Sequence, residues 1–186
     1  METNLEKILT SLYKADMISY MNSNPQEFEE AINLALSDRQ PYSWRAAWLL
    51  CSCLEKNDSR IINYVKEILN VILEKNDNIQ REFLKILYFM DLEDEYEGIL
   101  FNICITIWEM TYKQPSVRYN AFRIIVKSAK KHPELANEVK YLTQEQYLDS
   151  LSPGAQRSVI KMLNELNNFY QKCSAKTTKS QKKRQH

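Results

Sequence analysis

Apolar residues recur at spacings of three and four along most of the chain, the period that places one stripe on an α-helix. Ile62, Val65, Ile68/Leu69 and Ile72 form such a stripe between residues 59 and 75. Helix-start signals interrupt these stripes. Proline stands just inside or before a start at Asn24-Pro25, Gln40-Pro41, Gln114-Pro115, His132-Pro133 and Ser152-Pro153, where its missing N–H costs nothing and its fixed φ suits the first turn. Asp58-Ser59, Asn76-Asp77-Asn78 and Asp91 to Asp94 supply capping side chains at other starts. The pattern predicts nine helices, near residues 2–21, 25–37, 41–57, 59–75, 77–90, 94–113, 115–131, 133–149 and 153–172. Loops of roughly two to five residues force consecutive helices to pack as antiparallel neighbours.

The helices repeat in pairs. Four segments align on one arginine: Trp44-Arg45-Ala46-Ala47-Trp48, Gln80-Arg81-Glu82-Phe83-Leu84, Val117-Arg118-Tyr119-Asn120-Ala121 and Gln156-Arg157-Ser158-Val159-Ile160. Arg45, Arg81, Arg118 and Arg157 stand 36, 37 and 39 residues apart, each early in its helix. Six residues further on come Cys51, Leu87, Ile124 and Leu163, all apolar. One helix pair per period of this length is a solenoid signature. Over about residues 25–172 the chain resembles the HEAT repeat family, whose second helix opens with a turn and a Val-Arg-x-x-Ala-like run. Val117-Arg118 with Ala121, and Trp44-Arg45-Ala46-Ala47, match it best.

The resemblance implies an all-α, right-handed α-solenoid (an α-α superhelix) of about four helix pairs. It also implies that the four arginines are structural, paired with aspartates in the preceding turns. Asp77 before Arg81 fits that ladder, Asp38 before Arg45 fits loosely, and the turns before Arg118 and Arg157 have no aspartate. The helix near 2–21 would cap the first pair, because an open solenoid end exposes apolar surface. Residues 1–172 then form one domain, and 173–186, basic and nearly devoid of apolar residues, form a tail that cannot bury enough surface to order itself.

Composition narrows the chemistry. Two glycines among 186 residues cannot supply the turns of a β-rich fold or a phosphate-cradling loop. Cys51 and Cys53 lie two apart on a helix, so their side chains diverge by about 200°, and no paired histidines complete a zinc set. Free thiols in a reducing compartment are the expectation. The N-terminus carries Glu6, Lys7, Lys14 and Asp16, which does not resemble a signal peptide. The apolar run from Ile99 to Trp108 is about half a membrane span. A soluble, cytoplasmic protein is expected, with no cofactor and no metal.

Catalysis finds little footing. His132 precedes Pro133 in a turn and His186 ends the tail, so neither forms a nucleophile–base pair. The carboxylate pairs Glu29/Glu30 and Asp94/Glu95 stand in first turns, where they complement the helix dipole.

The net charge of +1 conceals a division between layers. Taking the arginine-bearing helices as inner, the outer ones carry fourteen acids against five bases, and the inner ones twelve bases against four acids. The repeat arginines are assigned to packing, and Lys56, Lys130, Lys131 and Lys172 to helix C-termini. That leaves Lys85, Arg123, Lys127 and Lys161, with Tyr119 and Phe122 beside them, as a candidate partner-binding concave face. The resulting expectation is a non-catalytic module that holds an acidic or helical protein partner. The alternative is a nucleic-acid-binding protein whose inner helices and tail meet phosphates. The layer charges, Trp44 and Trp48 also resemble the HEAT-like DNA-alkylation-repair glycosylases. Aspartate is nearly absent from the inner helices, however, and Trp48 has the spacing of a core residue, so glycosylase activity is not expected.

Overall fold

The computed structural model describes the backbone of residues 2–182 and the side chains of residues 2–173. The described residues are helical, with no strand. In chain order the α-helices are α1 (Asn4–Ser11), α2 (Lys14–Ser23), α3 (Phe28–Leu36), α4 (Tyr42–Cys53), α5 (Ser59–Ile62), α6 (Val65–Val71), α7 (Asp77–Tyr88), α8 (Asp94–Glu109), α9 (Pro115–Lys131), α10 (Ala136–Tyr141), α11 (Glu145–Leu148) and α12 (Pro153–Lys182). Short 3-10 turns at Pro25–Glu27, Ile72–Glu74 and Pro133–Leu135 adjoin α3, α6 and α10. The chain divides into two compact units, Met1–Ile103 and Cys104–His186, and the division falls within α8. Of the tail expected at 173–186, residues 183–186 and the side chains from 174 onward lie outside the described residues.

The arginine-bearing helices α4, α7 and α9 run unbroken, as their stripes predict. Three other predicted helices are broken. The helix expected over 2–21 is two, separated by the extended residues Leu12 (φ −98, ψ 158) and Tyr13 (φ −77, ψ 162). A capping box of Thr3 and Glu6 starts α1, and Leu5 and Leu9 are buried along it. At its end the Thr10 and Ser11 hydroxyls donate to the carbonyls of Glu6 and Lys7. Such back-bonding hydroxyls give a helix a local alternative and favour its termination.

The helix expected over 59–75 breaks at Tyr64 into α5, α6 and a 3-10 turn. Ile61, Val65, Ile68 and Ile72 are the buried stripe, and Ile62, expected inside, is exposed. The helix expected over 133–149 is likewise a 3-10 turn, α10 and α11.

In the first unit α4 packs on α3 and α7, while α1 and α2 lie against α4 as well. Its buried Ala46, Ala47, Leu49 and Leu50 face a core that also contains Ile32, Ala35, Phe83 and Leu87. The alanines allow close approach to neighbouring helices, and the leucines fill the remaining volume. In the second unit α9 packs on α12 and α10 around Ile124, Ile125, Val139 and Val159.

Candidate functional site

Because α1 and α2 are separate helices, the joint between them lies beside α4 and α7 and lines a cleft of about 620 Å³ in the first unit. Leu12, Tyr13, Lys14 and Met17 come from the joint and the start of α2. Trp44, Arg45 and Trp48 come from α4, and Arg81, Glu82 and Lys85 from α7. Within each inner helix Trp48 stands three and four residues after Arg45 and Trp44, and Lys85 three and four after Glu82 and Arg81, so each pairs on its helix face with the residues a turn before it.

The cleft holds four cations and one carboxylate. Glu82 is buried; its Oε1 accepts a hydrogen bond from Arg81 Nε at 2.8 Å and its Oε2 one from Lys85 Nζ at 2.7 Å. Among the described residues, Lys14 and Arg45 have no carboxylate within ion-pair reach. Lys14 Nζ sits 5.3 Å from the centre of the Trp48 ring, and the Arg45 guanidinium 5.1 Å from that of Trp44. Arg45 Nη1 donates to the Leu9 carbonyl at 2.7 Å, which ties α4 to α1, while its Nε is buried with no acceptor. Trp44, Trp48, Arg45, Arg81 and Lys85 are half-buried, and Tyr13 at the rim is 86% exposed. The walls are therefore aromatic and apolar, with donors and positive charge between them. Such an arrangement can hold an anionic group beside an apolar one.

The residues predicted for partner binding fall in both units. Lys85 belongs to the first. It is not the uncommitted base expected, because Glu82 of the preceding turn pairs with it. Tyr119, Arg123, Lys127 and Lys161 belong to the second. Tyr119, Arg123 and Lys127 are half-buried at steps of four, so they share a stripe of α9, and Lys161 is exposed on α12. Arg123 Nη1 donates to Asn120 Oδ1 at 3.1 Å, and its guanidinium lies 6.0 Å from the Tyr119 ring centre. Phe122 requires a correction. Expected on the accessible face, it is fully buried, with its ring centre 4.6 Å from that of Trp108.

The four repeat arginines do different things. Arg118 is fully buried and wholly engaged. Nε donates to the Trp108 carbonyl at 2.9 Å, Nη1 to Ser150 Oγ at 2.5 Å and Nη2 to the Tyr147 carbonyl at 2.7 Å, while the guanidinium stacks 4.6 Å from the Trp108 ring centre. Trp108 Nε1 donates in turn to the Leu142 carbonyl at 2.7 Å. Burial lowers the pKa of Arg118 from its usual value, and the three acceptors favour the cation all the same. Arg45 makes one bond to another helix. Arg81 pairs with Glu82. Arg157 is exposed and its Nε donates to Pro153 of its own first turn at 3.2 Å.

The expected aspartate ladder is not built. Asp38 pairs with Lys75 at 2.8 Å, not with Arg45, and Arg81 takes its neighbour Glu82 rather than Asp77. The adjacent glutamate offers Arg81 a partner on its own helix, which competes with the turn.

Sequence reasoning missed Lys14 and Tyr13 as cleft residues and placed Trp48 in the core. The hydroxyl pair Thr10-Ser11 ahead of Tyr13-Lys14 was the available signal for the joint. Glu82 could have been flagged as the single acid between two bases one and three positions away.

Among the described residues, no cluster of histidine, cysteine or carboxylate side chains could hold a metal ion. No helix there is long and apolar enough to cross a membrane. No curated protein and no solved structure matches the chain. A family model described as a HEAT repeat domain matches residues 1–166, and the repeating arginine-bearing helices agree with it. HEAT repeats are commonly protein-interaction scaffolds, and the chain belongs to the HEAT repeat domain family.

Proposed function

We propose that this chain is a binding module whose first-unit cleft takes an acidic segment of a protein partner. The observation that supports the reading is the charge imbalance of the cleft, in which two of four cations, Lys14 and Arg45, have no counter-ion. A carboxylate arriving between Lys14, Arg45 and the Arg81–Lys85 pair gains charge-assisted hydrogen bonds, those from Arg45, Arg81 and Lys85 on partly desolvated donors. An apolar neighbour on the same segment finds Trp44, Trp48, Leu12 and Met17. Recognition of this kind combines steering by charge with a buried aromatic anchor.

Nucleic acid is the competing partner class, and the half-buried stripe of Tyr119, Arg123 and Lys127 on α9 is the feature that favours it. One titration separates the two. Fluorescence anisotropy is followed with a labelled peptide library of Asp/Glu-rich sequences fixed on one leucine, and with labelled duplex DNA, at salt near 50 and 300 mM. The expected outcome is peptide binding that weakens with salt and drops at least tenfold in Lys14→Glu/Lys85→Glu, a change that leaves α9 untouched. DNA binding unaffected by that double substitution, with no peptide binding, contradicts the proposal.

A further inference from the structure

The cleft's own carboxylate indicates which anion suits it. Glu82 already lies among the four cations, yet it engages only Arg81 and Lys85. A carboxylate held there therefore satisfies two of the four bases. After Glu82 is counted, three positive charges of Lys14, Arg45, Arg81 and Lys85 remain uncompensated. One further carboxylate on a partner neutralises only one of them.

The donors point the same way. Arg81 spends Nε on Glu82, and its two terminal nitrogens make no protein hydrogen bond. Arg45 spends Nη1 on Leu9 and keeps a buried Nε without an acceptor. Two planar guanidinium groups and two ammonium groups thus line a space of about 620 Å³, larger than a single carboxylate fills. Guanidinium forks match tetrahedral oxyanions bidentately, and a phosphoryl group brings three acceptor oxygens and nearly two charges.

We infer that the cleft recognises a phosphorylated serine or threonine of a protein partner, with Arg45, Arg81, Lys14 and Lys85 on the phosphoryl oxygens and Trp44 and Trp48 against an adjacent apolar residue. This rests on the reading of the cleft as the partner site and makes its ligand specific. Glu82 is a positioning residue here, since it holds Arg81 and Lys85 turned toward the cleft without touching the ligand. All four cations line one cleft, and a single cleft suits one isolated phosphoryl group better than the regularly spaced phosphates of a nucleic acid.

The test immobilises the whole chain and measures retention of three degenerate peptide libraries that carry phosphoserine, glutamate or serine at one fixed position, with duplex DNA as a fourth ligand. The phosphoserine library is expected to be retained about tenfold better than the glutamate library, and the serine library not at all. Arg45→Gln and Lys14→Gln should each remove most of that preference while leaving the thermal midpoint within a few degrees of wild type. Equal retention of phosphoserine and glutamate libraries overturns the phosphoryl assignment and leaves the acidic-segment reading standing. Failure of both libraries overturns both readings, and DNA retained in preference to the phosphoserine library overturns this one. The thermal midpoints separate loss of recognition from loss of fold.

Discussion

Arg118 and Arg45 occupy the same place in the repeat, early in an inner helix, and each lies against a tryptophan. Their environments are opposite. Around Arg118 the guanidinium is buried and donates to two main-chain carbonyls and a serine, so its hydrogen-bonding capacity serves packing within the second unit. Around Arg45 a single carbonyl is engaged, one N–H is orphaned, and of the neighbouring Lys14, Arg81 and Lys85 only the last two share a carboxylate, that of Glu82. A repeat position is thus closed in one unit and left open in the other. The closed version costs desolvation that its acceptors offset. The open version retains one buried donor without a protein acceptor, Arg45 Nε.

The difference can be broken at its strong end first. Arg118→Met should destabilise the protein by roughly 3 kcal/mol, since it strands the buried carbonyl oxygen of Trp108 and removes the guanidinium's bonds to Tyr147 and Ser150 together with its stacking on Trp108. Urea unfolding followed by circular dichroism measures it, and a loss under about 1 kcal/mol would show that the buried network is not what holds the unit. Arg45→Met in the cleft should cost only about 1 kcal/mol, the net worth of its bond to Leu9. A loss as large as that of Arg118→Met would erase the contrast.

A smaller effect sharpens it through pH. Asp58 caps α5 and pairs with Arg60, whose hydrogen bonds lower the Asp58 pKa from its usual value. A carboxyl depressed in the folded state adds stability that is present above its unfolded pKa, near 4, and is lost as pH falls through the folded value. Asp58→Asn should therefore be less stable than wild type near neutrality, with the gap closing below about pH 4, in thermal melts across that range. A gap that persists unchanged in acid contradicts the assignment. The smallest effect concerns thiols. Cys173 is exposed, whereas Cys104 is buried, and burial raises its pKa well above the usual range. A thiol reagent should modify Cys173 first and reach Cys104 only on unfolding, as mass spectrometry of the labelled sites would show.

The architecture was legible in the sequence because it is written in periodicity. Unbroken stripes in α4, α7 and α9 and a proline or cap before each start specify those helices locally. The breaks were hidden for the same reason. A stripe read as Ile62, Val65 and Ile68 tolerates a one-residue phase shift, so the turn at Tyr64 and the burial of Ile61 in place of Ile62 left no mark in an apolar count. Phe122 and Trp48 exchanged their expected environments because wheel position alone does not say what lies opposite. Phe122 meets Trp108, which arrives from another helix. Trp48 meets Lys14, which arrives only because the chain bends at Tyr13. Lys85 and Glu82 were both legible as residues of one inner helix, and the buried double engagement of Glu82 by Arg81 and Lys85 was the part that required coordinates.

The three tryptophans offer the most direct measurement, because Trp44 and Trp48 line the cleft while Trp108 is buried in the second unit. Their indole N–H resonances can be followed separately by nuclear magnetic resonance during titration with an Asp/Glu-rich peptide carrying one leucine. The account predicts that the Trp44 and Trp48 signals move together with peptide concentration, that Trp108 stays fixed, and that Lys14→Glu/Lys85→Glu abolishes the movement. Movement of Trp108 alone, or saturable peptide binding with Trp44 and Trp48 unmoved, would contradict it.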